Sequence, residues 1–251
     1  MSGQVFSPIH NLLAKASILI GVLAVGGTLG MLDLIHRSPY VRYTQLTREQ
    51  PIVFSHKHHA NLGIDCRYCH NTVEKSAFAN IPPMQTCRNC HNLMWNEAPM
   101  LEDVRKGWDT PEGEGVPVKW TRVHDLPDFV YFDHSIHVNH GVGCEECHGR
   151  VDQMPLMHRE HPLFMKWCLD CHRDPGPKLR PKELITKMGY NWREDLLHNH
   201  DLLAEYGIHA EKDEDGEELP ITKKQISEGL VKHYNVDYEN TRLTNCWICH
   251  R

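Results

Sequence analysis

Five copies of one five-residue pattern punctuate this chain: CRYCH at 66–70, CRNCH at 87–91, CEECH at 144–148, CLDCH at 168–172 and CWICH at 246–250. They take up all ten cysteines of the 251 residues. Three chemistries use such pairs. Disulfides suit an exported protein with an even cysteine count. A zinc ribbon suits the spacing from Cys69 to Cys87, and CxxCH marks c-type haem attachment. The histidine closing every copy decides, because neither a disulfide nor a zinc ribbon needs one there. With 20 histidines in the chain, one at all five places by chance has odds of about one in a few hundred thousand if positions are independent. An odd number of pairs also frustrates pairwise zinc sites. The reading is five haem c groups.

The spacing has a physical reason. On a helical turn, residues i, i+3 and i+4 share a face. Cys66 with Cys69, Cys87 with Cys90, Cys144 with Cys147, Cys168 with Cys171, and Cys246 with Cys249 each present two thiols to one porphyrin. His70, His91, His148, His172 and His250 then reach the irons from the proximal side. None of the five ends in lysine, the variant that marks the catalytic haem of pentahaem nitrite reductases.

A haem that only transfers electrons has both axial positions filled, by His/His or His/Met. An internal repeat narrows the choice of second ligand. FSHKHHANLGIDCRYCH (54–70) aligns without gaps on FDHSIHVNHGVGCEECH (132–148), 78 residues later. Ser55 and Asp133 suit an N-cap, and Gly63 and Gly141 suit the left-handed position past a helix end. A helix of about two turns is expected between them. On it, His56 and His59 share a face, as do His134 and His137, while His58 is turned away and becomes Ile136 in the repeat. His56, His59, His134 and His137 are therefore the expected distal ligands. One haem is left short. A methionine between the third and fourth motifs, Met154 or Met165, is the expected fifth ligand, with His158, His161, His198 and His200 as alternatives.

The largest apolar block is ASILIGVLAVGGTLGML (16–32), seventeen uncharged residues. It lies at the short end of what crosses a bilayer and exceeds the usual h-region of a signal peptide. A retained anchor is expected rather than a cleaved leader, with the rest of the chain across the membrane in either case. The expected organisation is an anchor at 1–36, a polar linker at 37–52, a four-haem region at 53–175 containing the repeat (54–91 and 132–172), and a C-terminal segment at 176–251 with the fifth haem. The fold class follows: mainly α with much irregular structure, organised around haems that supply the apolar interior. The stretch 92–131, with Trp95, Trp108, Trp120 and TPEGEGVP, reads as an insertion over a haem edge or a partner. The acidic run EKDEDGEE (211–218) reads as a solvated loop. A net charge of −6 argues against nucleic acid as a partner.

The paired FxHxxH…CxxCH…CxxCH units resemble class III multihaem cytochromes. There the first histidine of each pair serves the haem of the motif that follows it, and the second serves another. The N-terminal apolar block, GIDCRYCHNTVEKSAFANIPPMQTCRNCH, MKWCLDCHR and the terminal CWICHR together resemble the pentahaem subunit of alternative complex III. The likeness is weak over 92–131 and 176–240. It implies a non-catalytic relay with four bis-His haems and one His/Met haem. The complex oxidises membrane quinol and passes electrons to a periplasmic carrier or a terminal oxidase. Implied partners are integral membrane quinol-site subunits, a large iron–sulfur subunit like molybdopterin oxidoreductases, and a monohaem cytochrome c. The implied location is the bacterial inner membrane, with the haems on the periplasmic side. Two rivals remain: a stand-alone multihaem quinol dehydrogenase, and a soluble pentahaem shuttle to a reductase.

Overall fold

A computed structural model of the protein describes residues 6–108 and 117–250, the side chains of 107 and 108 excepted. Trp108 and TPEGEGVP therefore lie outside the described residues, apart from the backbone of Trp108 and Pro117. Among the described residues regular structure is helical, and three β pairings, Thr47 with His158, Val142 with Leu179 and Lys212 with Glu218, are isolated bridges.

Residues Met1–Leu46 form one unit. In it α1 spans Pro8–Arg37, with proline in its first turn, where a missing N–H costs nothing. At 1.5 Å per residue its 30 residues reach about 45 Å, longer than the roughly 30 Å hydrocarbon layer of a bilayer. None of its side chains is buried. It is long and apolar enough to cross a membrane; a signal sequence meets the same description. Ser38 ends α1, its N–H donating to the Ile35 carbonyl, and its hydroxyl accepts from the Val41 N–H to start α2 (Pro39–Arg42).

Thr47–Arg251 form the second unit. Its helices are short: α3 (His56–Asn61), α4 (Cys66–Cys69), α5 (Met84–His91), α6 (Glu102–Trp108), α7 (His134–Asn139), α8 (Cys144–His148), α9 (Met165–Arg173), α10 (Trp192–Asp195), α11 (His200–Glu205), α12 (Lys223–His233) and α13 (Cys246–Cys249). Turns of 3₁₀ helix link several of them, among them 151–153 and 242–244.

An aliphatic core does exist, and it sits where the sequence reading placed little. Leu179, Leu196, Leu203, Tyr206, Ile208, Ile221, Ile226 and Leu230 pack together. The longest helix of this unit, α12, is started by a capping box: the Thr222 hydroxyl accepts from the Gln225 N–H, and the Gln225 side chain accepts from the Thr222 N–H. Its Ile226 and Leu230, four apart, face the core. The WREDLLHNHDLL stretch is broken into α10 and α11; Leu196, just past α10, and Leu203 of α11 are buried, and His198 and His200 are exposed. Residues 211–218 are exposed along their whole length, as expected of a solvated loop.

This core is fastened to the third CxxCH motif by one buried cation. The Arg180 side chain is fully buried. Its guanidinium donates to Glu146 at 2.7 Å and to Glu145 at 3.2 Å, the two middle residues of CEECH, and lies 4.3 Å from the Tyr190 ring centre. Glu145 also accepts from the Tyr190 N–H, and Lys178 pairs with Glu146 at 2.9 Å. Gly143 keeps the passage open, because a Cβ there would strike the guanidinium. Removing one partner of such a buried network strands the other's charge at a cost of about 3–5 kcal/mol. Arg180→Met is expected to lower unfolding stability by that amount, read by denaturant titration of the holoprotein under circular dichroism; a loss below about 1 kcal/mol would show that the carboxylates find water instead.

Candidate haem sites

The two copies of the repeat fold alike. The Ser55 hydroxyl accepts from the His58 N–H to cap α3, and the Asp133 carboxylate accepts from the Ser135 N–H to cap α7. Gly63 and Gly141 follow at φ +79° and +78°, in the left-handed region that glycine enters freely. At Gly141 the freedom is spatial as well, since a Cβ would run into the Tyr234 ring. Phe54 lies edge-on to His56 and stacks on His59 with ring centres 4.8 and 4.4 Å apart; Phe132 treats His134 and His137 the same way at 4.8 and 4.6 Å. His56, His59, His134 and His137 are half-buried, whereas His58 and Ile136 point out to solvent.

All five CxxC turns are helical, as α4, α5, α8, α9 and α13; His91 and His148 end α5 and α8, His172 is the last but one residue of α9, and His70 and His250 directly follow α4 and α13. Asp65 caps α4 by accepting from the Arg67 N–H, and Asn245 caps α13 by accepting from the Trp247 N–H. None of the ten cysteines is in a disulfide. Each turn thus offers two free thiols and an imidazole.

Three imidazole pairs stand at nearly one spacing. Ring centres are 6.2 Å apart for His59 and His91, 6.3 Å for His134 and His148, and 6.1 Å for His137 and His172. Metal–imidazole bonds of about 2.0–2.1 Å put two rings on opposite sides of one metal at roughly 6.2 Å between centres. The pairs therefore fit the axial positions of three haems. His56 lies near both His70 and His59: burial first, then the charge of His70, holds its pKa down to about 4. Among the described residues no three His, Cys, Asp or Glu side chains gather around one point.

The second ring nitrogen of each histidine matters as much. A carbonyl can only accept, so a ring nitrogen facing one must carry the proton, which leaves Nε2 bare for a metal. Nδ1 of His59 donates to Ser55, of His70 to Asn80, of His91 to Met94, of His134 to Ala77, of His137 to Asp133, of His172 to Leu243 and of His250 to Phe129, all to main-chain oxygens at 2.7–3.1 Å. Asn80 aims its carbonyl from φ +72°, a conformation asparagine tolerates better than most residues. The Nδ1 of His56 is buried without a partner.

The fifth motif differs. His250 lies by Phe129, ring centres 5.8 Å apart, and the Cys249 carbonyl accepts from the Tyr131 N–H. Met154 is 4 % exposed and its carbonyl accepts from the Lys57 N–H. Met165 opens α9 with its side chain 67 % exposed. His158 pairs with Glu160 and His161 stacks on Trp167. One residue escaped the sequence reading. His124 packs edge-on against His148 with ring centres 4.4 Å apart, its Nε2 buried. Its pKa is held down to about 4, by burial first and then by Arg159. At 4.4 Å it is too close to His148 to sit across a metal from it. No repeat counterpart flags it, since the aligned position is Leu46.

Comparison with known proteins bears on the cysteine motifs. The model of the class III cytochrome c family matches residues 35–108, the span that holds α3 and the first two CxxCH motifs. The chain is 37 % identical over 111 residues to the multihaem cytochrome c subunit of menaquinone reductase from Nitratidesulfovibrio vulgaris (strain Hildenborough). That alignment covers 44 % of this chain and 50 % of the relative, so the chain spans about half the length of that curated protein. The matches are to multihaem cytochromes c with covalent haem. Alanine substitutions separate the histidines of the opening repeat. His59→Ala is expected to convert one haem per chain to a high-spin, carbon-monoxide-binding state in optical and paramagnetic-resonance spectra, whereas His58→Ala is expected to leave the low-spin spectrum unchanged. High-spin signal from the latter would contradict the assignment of faces on α3.

Proposed function

We propose that this multihaem cytochrome c is a membrane-anchored pentahaem relay within a quinol-oxidising respiratory complex of the alternative complex III type. The observation that carries the reading is the set of three imidazole pairs at 6.1–6.3 Å, the spacing of electron-transfer haems whose two axial sites are both filled. His56 serves the haem of Cys66 and Cys69, His59 that of Cys87 and Cys90, His134 that of Cys144 and Cys147, and His137 that of Cys168 and Cys171. A methionine, Met154 or Met165, serves the haem of Cys246 and Cys249. With every iron closed, the chain has no catalytic site of its own. When bound, the haems supply reversible one-electron chemistry; the polypeptide sets their axial ligands and their order.

The helix α1 anchors the chain in the inner membrane, with the haem unit on the periplasmic side, where haem c is attached. Partners are integral membrane quinol-site subunits, a large iron–sulfur subunit and a monohaem cytochrome c. A second reading is favoured by the relative named as a subunit of menaquinone reductase: the same relay would then carry electrons towards the quinone.

Copurification from mild detergent tests the complex. The chain is expected to emerge with a large iron–sulfur subunit, and added menaquinol is expected to reduce the haems of the complex but not those of the isolated chain. Recovery of the chain alone would refute the complex. Reduction of the isolated chain by quinol would support a stand-alone quinol dehydrogenase, and haems oxidised by added menaquinone would support the reverse direction. An intact mass lacking α1 would instead support a soluble shuttle.

A further inference from the structure

The motifs follow one order along the chain and another through space. The first and second are joined by α3, which carries both His56 and His59, and by the Asn89 amide donating to the Tyr68 hydroxyl at 3.2 Å. Cys69 also lies within electrostatic reach of Cys87 and Cys90. The third and fourth are joined in the equivalent way by α7, whose His134 and His137 face His148 and His172. Cys147 lies within reach of Cys171 and Cys168.

The contact between these two halves runs through the first and third motifs. The Cys66 and Cys144 side chains are neighbours. Two hydrogen bonds pin their two turns to one short segment: the Cys144 N–H donates to the Ile185 carbonyl at 2.9 Å, and the neighbouring Thr186 hydroxyl donates to Asp65, the cap of α4, at 3.1 Å. The Asn139 amide at the end of α7 donates to the Glu74 carbonyl just past the first motif, and the His134 N–H donates to Ala77. The fifth motif joins at the fourth. The turn 242–244 packs on α9 and leads into α13, and the Leu243 carbonyl orients His172. Cys168 and Cys249 are within electrostatic reach of each other.

We infer that the five haems run in the order second, first, third, fourth, fifth motif, so that the haems of Cys87 and Cys90 and of Cys246 and Cys249 are the two ends of the conductor and the first and third motifs form its central junction. This rests on the pentahaem reading. It assigns entry and exit to the two ends, whose flanking surfaces are open: Leu93 and Trp95 beside the second motif and Trp247 within the fifth are exposed. The chain's numbering would instead make the first motif a terminus.

The test injects electrons at one end. Leu93, next to the second motif and 90 % exposed, is replaced by cysteine and labelled with a ruthenium photosensitiser in the dilute holoprotein. With all haems present, five are expected to become reducible from the label. Removing the third haem through Cys144→Ser with Cys147→Ser is expected to cut this to two, and removing the fifth through Cys246→Ser with Cys249→Ser to cut it to four. Three or more reducible haems after loss of the third would overturn the order. Iron positions from anomalous scattering of the unsubstituted holoprotein decide the matter should the third-haem variant not fold: the iron of the third motif must have those of the first and fourth as its neighbours, and any other arrangement refutes the order. Fewer than five haems per chain in a pyridine haemochromogen assay would refute the underlying reading, whereas five haems connected differently would refute the order alone.

Discussion

The spacing of about 6.2 Å between facing imidazoles is the constraint to which the rest of this chain answers. A ring held about 6.2 Å from its partner fixes the separation of two pieces of backbone more tightly than hydrophobic contact does. In the haem region, from 54 to 172, the buried hydrophobic residues among those described are Val104, Val138 and Met154. Helices there run four to nine residues, too short to persist by their own propensity. They are caps and turns whose task is to aim side chains. Ser55 and Asp133 begin them, Gly63 and Gly141 release them, and Phe54 and Phe132 set the tilt of the rings.

The C-terminal segment obeys ordinary packing rules. Its aliphatic cluster orders a helix with a full capping box, and Arg180 reaches from it into the third motif. The two kinds of interior are coupled by charge. A buried guanidinium pinned by two carboxylates is neutralised locally, and it makes the middle of CEECH part of the adjoining core. The third motif, at the junction between the two repeats, is thus the one braced from both sides.

How much of this could be read from residues alone varies with the physics. The helical turns of the five CxxCH motifs and the faces of α3 and α7 were legible, because CxxCH, N-caps and i, i+3 spacing are local. The solvated acidic loop was legible for the same reason. The partnering of motifs through space was not, because Cys66 meeting Cys144 depends on Ile185 and Thr186, far from either in sequence. The aliphatic core was under-read, although T-K-K-Q ahead of Ile226 and Leu230 is a helix-start signature. His124 carries no such signal; only its position against His148 reveals it.

Seven of the nine histidines proposed as iron ligands have their protonation fixed by main-chain oxygens, not by neighbouring carboxylates or hydroxyls. A side-chain acceptor can be lost to a single codon change; a peptide carbonyl cannot. The residues that supply these oxygens, Ser55, Ala77, Asn80, Met94, Phe129, Asp133 and Leu243, share no chemistry. For lineages that inherit this chain, the orientation of its ligands is then buffered against drift, since it is carried by the path of the backbone and not by the identity of the residues along it.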